Sequence, residues 1–92
     1  TMSEGYQAIA TDAAFTINPF DAANTRHTGT LTAIRACTLG TSGAIAGQRK
    51  RLSRTGGGAF NITFAGKNIA TNQWAEAVYD GAAWYLAAFG SL

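Results

Sequence analysis

The chain has 92 residues, 47% of them hydrophobic and 13% charged, with a formal net charge of +2. That balance is too apolar for a disordered tail, and the length holds one domain only. No stretch approaches the roughly 20 apolar residues of a membrane helix, and no basic-then-apolar opening marks a secretory signal, so neither a membrane nor an export role is expected.

A chain this small hides only about 60–65% of its unfolded surface, which leaves stability marginal unless disulfides, metals or association contribute. Cys37 is the only cysteine, so no internal disulfide can form. It lies between Ala36 and Thr38 in a strand-like run and reads as a small buried apolar group. With no His or Cys clustered near it, no metal site is expected, and association is the remaining means of support.

In chain order, Thr1 to Gly5 has no strand pattern and reads as a flexible segment ahead of a single β domain over residues 6–92. Thr1-Met2 fits a small residue exposed by removal of an initiator methionine, which would make the 92 residues a complete gene product. Short apolar-alternating runs then predict strands near Tyr6 to Ala10, Ala14 to Asn18, Leu31 to Leu39, Gln48 to Arg54, Phe60 to Phe64, Gln73 to Tyr79 and Trp84 to Phe89. Asn18-Pro19 ends the second run, because proline cannot donate a ladder hydrogen bond. Phe20 to Gly29, with Asp21, Asn24, Arg26 and His27, is the longest polar connection and the natural surface loop. Gly40-Thr41-Ser42-Gly43 and Gly56-Gly57-Gly58 supply short connections, and Asp80-Gly81 the positive-φ positions of a tight hairpin. Such close spacing predicts an all-β fold, an antiparallel meander forming a sandwich or small barrel.

The closing run Trp84-Tyr85-Leu86-Ala87-Ala88-Phe89 is apolar on both strand faces, Trp84, Leu86 and Ala88 on one and Tyr85, Ala87 and Phe89 on the other. A small domain has one core, so the second face calls for another cover, most simply a neighbouring copy. The basic run Arg49-Lys50-Arg51-Leu52-Ser53-Arg54 splits by strand parity, Arg49, Arg51 and Ser53 away from Lys50, Leu52 and Arg54. With no interleaved aromatics it reads as a solvated or interface strand that pairs with a partner's acids and resists stray edge pairing, not as a nucleic-acid platform. Arg35 shares its face with Leu31, Ala33, Cys37 and Leu39 and needs a carboxylate or carbonyl partner, for which Glu76 and Asp80 are candidates, unless it snorkels to water at a sheet edge.

Catalysis finds little support. His27 is alone in the polar loop, and Glu4, Asp12, Asp21, Glu76 and Asp80 are dispersed. The triglycine lacks the Lys-Ser/Thr of a phosphate loop, and Asn61-Ile62-Thr63 is a glycosylation pattern by chance inside a strand. No cofactor and no enzymatic activity are expected.

The order TGTLTAIRACTL, GAIAGQRKRLSRTGGGAFNITFAG and QWAEAVYDGAAWYLAAFGSL, from Thr28 to Leu92, resembles small β-rich domains of tailed-bacteriophage virion proteins, found in tail-fibre tips and head decoration. The shared pattern is an Arg-containing strand, a Gly-led basic strand, a Gly-rich turn into an F-x-I-x-F-like strand, and a closing Y-D-G-x-x-W hairpin. The resemblance implies a homotrimer on the virion exterior that works by attachment. The favoured use is capsid decoration, with the major capsid protein as partner; the other is a fibre tip that binds a host-surface glycan or protein through loops such as Phe20 to Gly29. On that reading Arg35, Trp84, Tyr85, Leu86 and Phe89 are the candidate oligomer interface. Thr1, Met2, Ser3, Glu4, Arg49 and Arg51 are the candidate partner-binding residues.

Overall fold

Short alternating runs punctuated by turns leave the chain few options but strands, and the computed structural model, which describes residues 5–92, contains nine among them. They are β1 (Tyr6–Ile9), β2 (Phe15–Ile17), β3 (Asn24–His27), β4 (Arg35–Leu39), β5 (Arg49–Arg54), β6 (Ile62–Phe64), β7 (Lys67–Ile69), β8 (Gln73–Tyr79) and β9 (Trp84–Ser91). The all-β class is as the sequence predicts. The candidate partner-binding residues Thr1, Met2, Ser3 and Glu4 lie outside the described residues.

The meander does not appear. One sheet has the order β1-β3-β5-β8-β9 and the other β2-β4-β6-β7, so through β6 the chain passes to the opposite sheet at every step. Consequently β1, β3 and β5 pair in parallel, with Tyr6 beside Asn24 and Asn24 beside Arg51, as do β2, β4 and β6. Antiparallel pairing is confined to β5 with β8, β6 with β7 and β8 with β9, which closes one end of the stack. The two sheets share one apolar cluster, built from Ile17, Cys37, Ile62, Phe64 and Ile69 on one side and Leu52, Ala75 and Ala77 on the other, with Leu31 from a connection. Cys37 is buried among them as expected, and desolvation pushes its thiol pKa up to about 12.

Two strands are additions to the sequence reading. The segment expected as a surface loop, Phe20 to Gly29, contains β3, and its His27 is fully buried. The ring stacks on Phe15 with centroids 5.7 Å apart, and Nε2 lies 2.9 Å from the Thr11 carbonyl oxygen. The other addition is β7, joined to β6 by Ala65-Gly66, both at positive φ (49° and 81°). Two consecutive positive-φ residues make a two-residue hairpin, but alanine is a poor advertisement for one.

The predicted Asp80-Gly81 turn forms, with Gly81 at φ 102°. Asp80 Oδ1 accepts from the amides of Ala82 and Ala83, each at 2.8 Å, which holds its carboxyl below the usual range. Beyond the turn Tyr79, Val78 and Ala77 pair with Trp84, Tyr85 and Leu86, and then a bulge between Glu76 and Ala77 shifts the register so that Ala75 faces Phe89. The bulge reverses the expected alternation, since by register Phe89 now shares its side with Leu86, not with Tyr85.

Arg35 finds neither Glu76 nor Asp80. Its Nε donates to Asp12 Oδ1 at 2.9 Å, and Asp12 also accepts from the Thr32 amide at 3.1 Å and the Thr32 hydroxyl at 2.5 Å. The Thr32 hydroxyl, then Arg35 and the Thr32 amide, lower the Asp12 pKa to about 2. A carboxylate whose folded pKa lies below its unfolded value stabilises the fold above the unfolded pKa, here near 3.8, and loses that contribution as pH falls towards 2. Stability should therefore decline between about pH 4 and pH 2, and Asp12→Asn should flatten that decline in urea titrations run at each pH. An unchanged acid profile for the variant would place the sensitivity elsewhere, Asp80 being the next carboxylate to examine.

Candidate binding face

The basic strand β5 divides as its parity predicts, but the face carrying Lys50, Leu52 and Arg54 points into the core. Arg54 is completely buried and is held by three carbonyls: Nη1 donates to Phe60 O at 2.5 Å and Ile69 O at 3.1 Å, and Nη2 to Gly57 O at 2.9 Å. Burial lowers its pKa from the ordinary arginine value. Lys50 Nζ donates to Asp21 O at 2.5 Å and Ala22 O at 3.4 Å; burial lowers its pKa, and the Asp21 carboxylate opposes that shift. Half of the basic cluster is thus an internal clamp on connecting loops and no part of a surface. The signal was Leu52, since a leucine between two cations of one parity marks the inward side.

Arg49 and Arg51 lie outward, on the exposed face of the five-stranded sheet. Arg49 Nη1 donates to Glu76 Oε1 at 2.5 Å within the same chain, so that acid belongs to its own neighbour strand. The Arg51 guanidinium lies over the Trp74 ring at 4.2 Å, and Arg26 over Tyr6 at 5.8 Å. Planar guanidinium on an aromatic face is favourable and keeps the cation extended over the sheet. Tyr6 and Tyr85 remain 60% and 50% exposed, so this face is aromatic and basic together.

At the end of the same hairpin a shallow depression of about 160 Å³ opens between β7 and β9, lined by Lys67, Gln73, Trp74, Phe89, Gly90 and Ser91. Lys67 Nζ sits 4.4 Å above the Phe89 ring, although Phe89 is still 57% exposed. Gly90 lets the indole lie close, since a Cβ there would stand 3.0 Å from Trp74 Nε1 and push the ring outward by a few tenths of an ångström.

Of the candidate oligomer-interface residues, Trp84 and Leu86 pack against the core of their own chain, and Trp84 Nε1 donates to Gly40 O at 2.8 Å. Arg35 is engaged with Asp12 on the four-stranded sheet. Tyr85 and Phe89 are the exposed pair. The structure brings together Arg51, Trp74 and Gly90, a cluster that sequence spacing does not reveal because its members come from three strands. No group of three metal-ligating side chains occurs among the described residues. Comparison with family models, curated proteins and solved structures finds no match.

Proposed function

We propose that this chain is an attachment domain of a tailed-bacteriophage virion, and that its use is host-surface recognition at the end of a fibre. The observation that carries the choice of fibre over capsid decoration is the strand order. β1 and β2 are the first strands of the two sheets and pair in parallel with the next strands along; the outer edges of β7 and β9 are as open as theirs among the described strands, so it is the parallel sense that sets the β1 and β2 end apart. Unpaired edges invite further pairing, and a shaft winding in the same parallel sense can lie directly against this end. The opposite end is formed by the antiparallel strands β7, β8 and β9, which carry Lys67, Trp74 and Phe89, while Arg26 and Arg51 stand on β3 and β5 between the two ends. The two sheets enclosing one core make a sandwich, and the exposed Tyr85 on the outer sheet face fits a trimer seam.

Gold-labelled antibody against this chain should mark the tail extremity of virions that carry it, and light scattering should return three times the 9.6 kDa chain mass. Label distributed over the head lattice would instead make it a decoration protein. No label on either structure would remove the virion reading, and a monomeric mass would remove the trimer.

A further inference from the structure

We propose that the depression between β7 and β9 holds a single carboxylated sugar ring, an acidic residue of a host-surface glycan; the proposal rests on the recognition reading above. Its lining is one-sided in hydrogen-bonding character. Lys67 Nζ offers three donors and the Trp74 indole Nε1 one, and neither has a hydrogen-bond partner among the described residues. The Gln73 carbonyl oxygen is already taken by the Ala70 amide at 2.9 Å, which leaves its amide nitrogen as the free end. Ser91 adds a hydroxyl, and no acidic side chain lines the site. A lining of donors around an ammonium selects a ligand rich in acceptors and negative in charge.

Size and apolar content narrow the class. At about 160 Å³ the depression lies below the roughly 300–1,000 Å³ of sites that enclose drug-sized ligands, so it admits one ring and leaves the remainder outside. Carbon of Phe89 and Trp74 forms part of the wall beside the donors. A pyranose with a carboxylate has that same division, a C–H face and an oxygen-rich rim. A nucleobase fits less well, because it carries no anionic group to meet the Lys67 ammonium. Chains of acidic sugars can continue across the outer sheet face, where Arg51 and Arg26 extend over their aromatic partners.

Calorimetric titration of the full chain with trigalacturonate, with neutral trigalactose and inorganic sulfate as parallel ligands, tests the assignment. Binding of trigalacturonate in the micromolar-to-millimolar range is expected, with at least tenfold weaker binding of the other two. Lys67→Gln, which keeps the stem and removes the charge, should weaken trigalacturonate at least tenfold while the melting temperature stays put. No trigalacturonate binding, equal binding of trigalactose, or an unaltered Lys67→Gln titration would overturn the site. Sulfate binding as tightly as trigalacturonate would make it a general oxyanion site and overturn the sugar. Label on the head in the virion experiment would remove the recognition reading while leaving the calorimetric result intact, so the two failures are distinguishable.

Discussion

Arg54→Leu should cost about 3–5 kcal/mol of folding stability, the largest loss expected from any single surface-looking cation in this sequence. The guanidinium is fully buried and supplies donors to the carbonyls of Gly57 and Phe60, in the connection between β5 and β6, and of Ile69 at the end of β7. Leucine fills some of the volume but removes all three charge-assisted bonds, leaving Gly57 O with only the Leu31 amide at 3.3 Å and the Phe60 carbonyl with a desolvation penalty. Native domains hold only about 5–15 kcal/mol in total, so the variant should have a strongly lowered urea midpoint by circular dichroism. Arg54→Lys should fall between, because one ammonium cannot span the fork that two guanidinium nitrogens cover. A midpoint for Arg54→Leu within experimental scatter of wild type would mean that water satisfies those carbonyls and that the clamp is not structural.

Gly56→Ala should lower the melting temperature by roughly 10–25 °C, the equivalent of about 3 kcal/mol in a domain of this length. The cause is contact between successive passes of the chain and not backbone freedom. A Cβ on Gly56 would lie 2.1 Å from the Gly29 carbonyl oxygen and 2.7 Å from the Thr28 carbonyl carbon, both backbone atoms with nowhere to rotate. Gly29 stands in the same relation to Ala10, whose carbonyl oxygen would be 2.2 Å from its Cβ, so the glycines let three passes stack at this corner. Gly57 is the internal control: a Cβ there meets only Thr30 Oγ1 at 3.8 Å, ordinary contact, and Gly57→Ala should melt close to wild type. Equal melting of the two variants would show that the stack relaxes without cost.

These two positions mark how far sequence patterning reaches. Alternation along Arg49 to Arg54 already separated the inward from the outward cations, yet which side faced the core depended on what lay across from it. The triglycine was legible as a break between runs, but the need for glycine at its first position came from Gly29, 27 places earlier by register of the flanking strands. The binding face was legible only as separate residues: Arg49 and Arg51 were visible as outward cations, whereas Trp74, Lys67 and Gly90 joined them through pairing with β8 and β9 and through the hairpin at Ala65-Gly66.

By itself the sequence determined the class of the fold, the closing hairpin with its left-handed Gly81, the burial of Cys37 and the parity of β5, because each follows from turn chemistry and a two-residue period within one segment. The tertiary structure alone decided that β1, β3 and β5 lie in parallel, that His27 and Arg54 sit side by side in the interior, that Arg35 pairs with Asp12, and that a bulge turns Phe89 towards Lys67. Those outcomes depend on which distant segments share an edge, and a two-residue period is the same whether a strand's neighbour runs parallel or antiparallel. The choice falls to the packing of one common core between the two sheets, a sum over residues far apart in the chain.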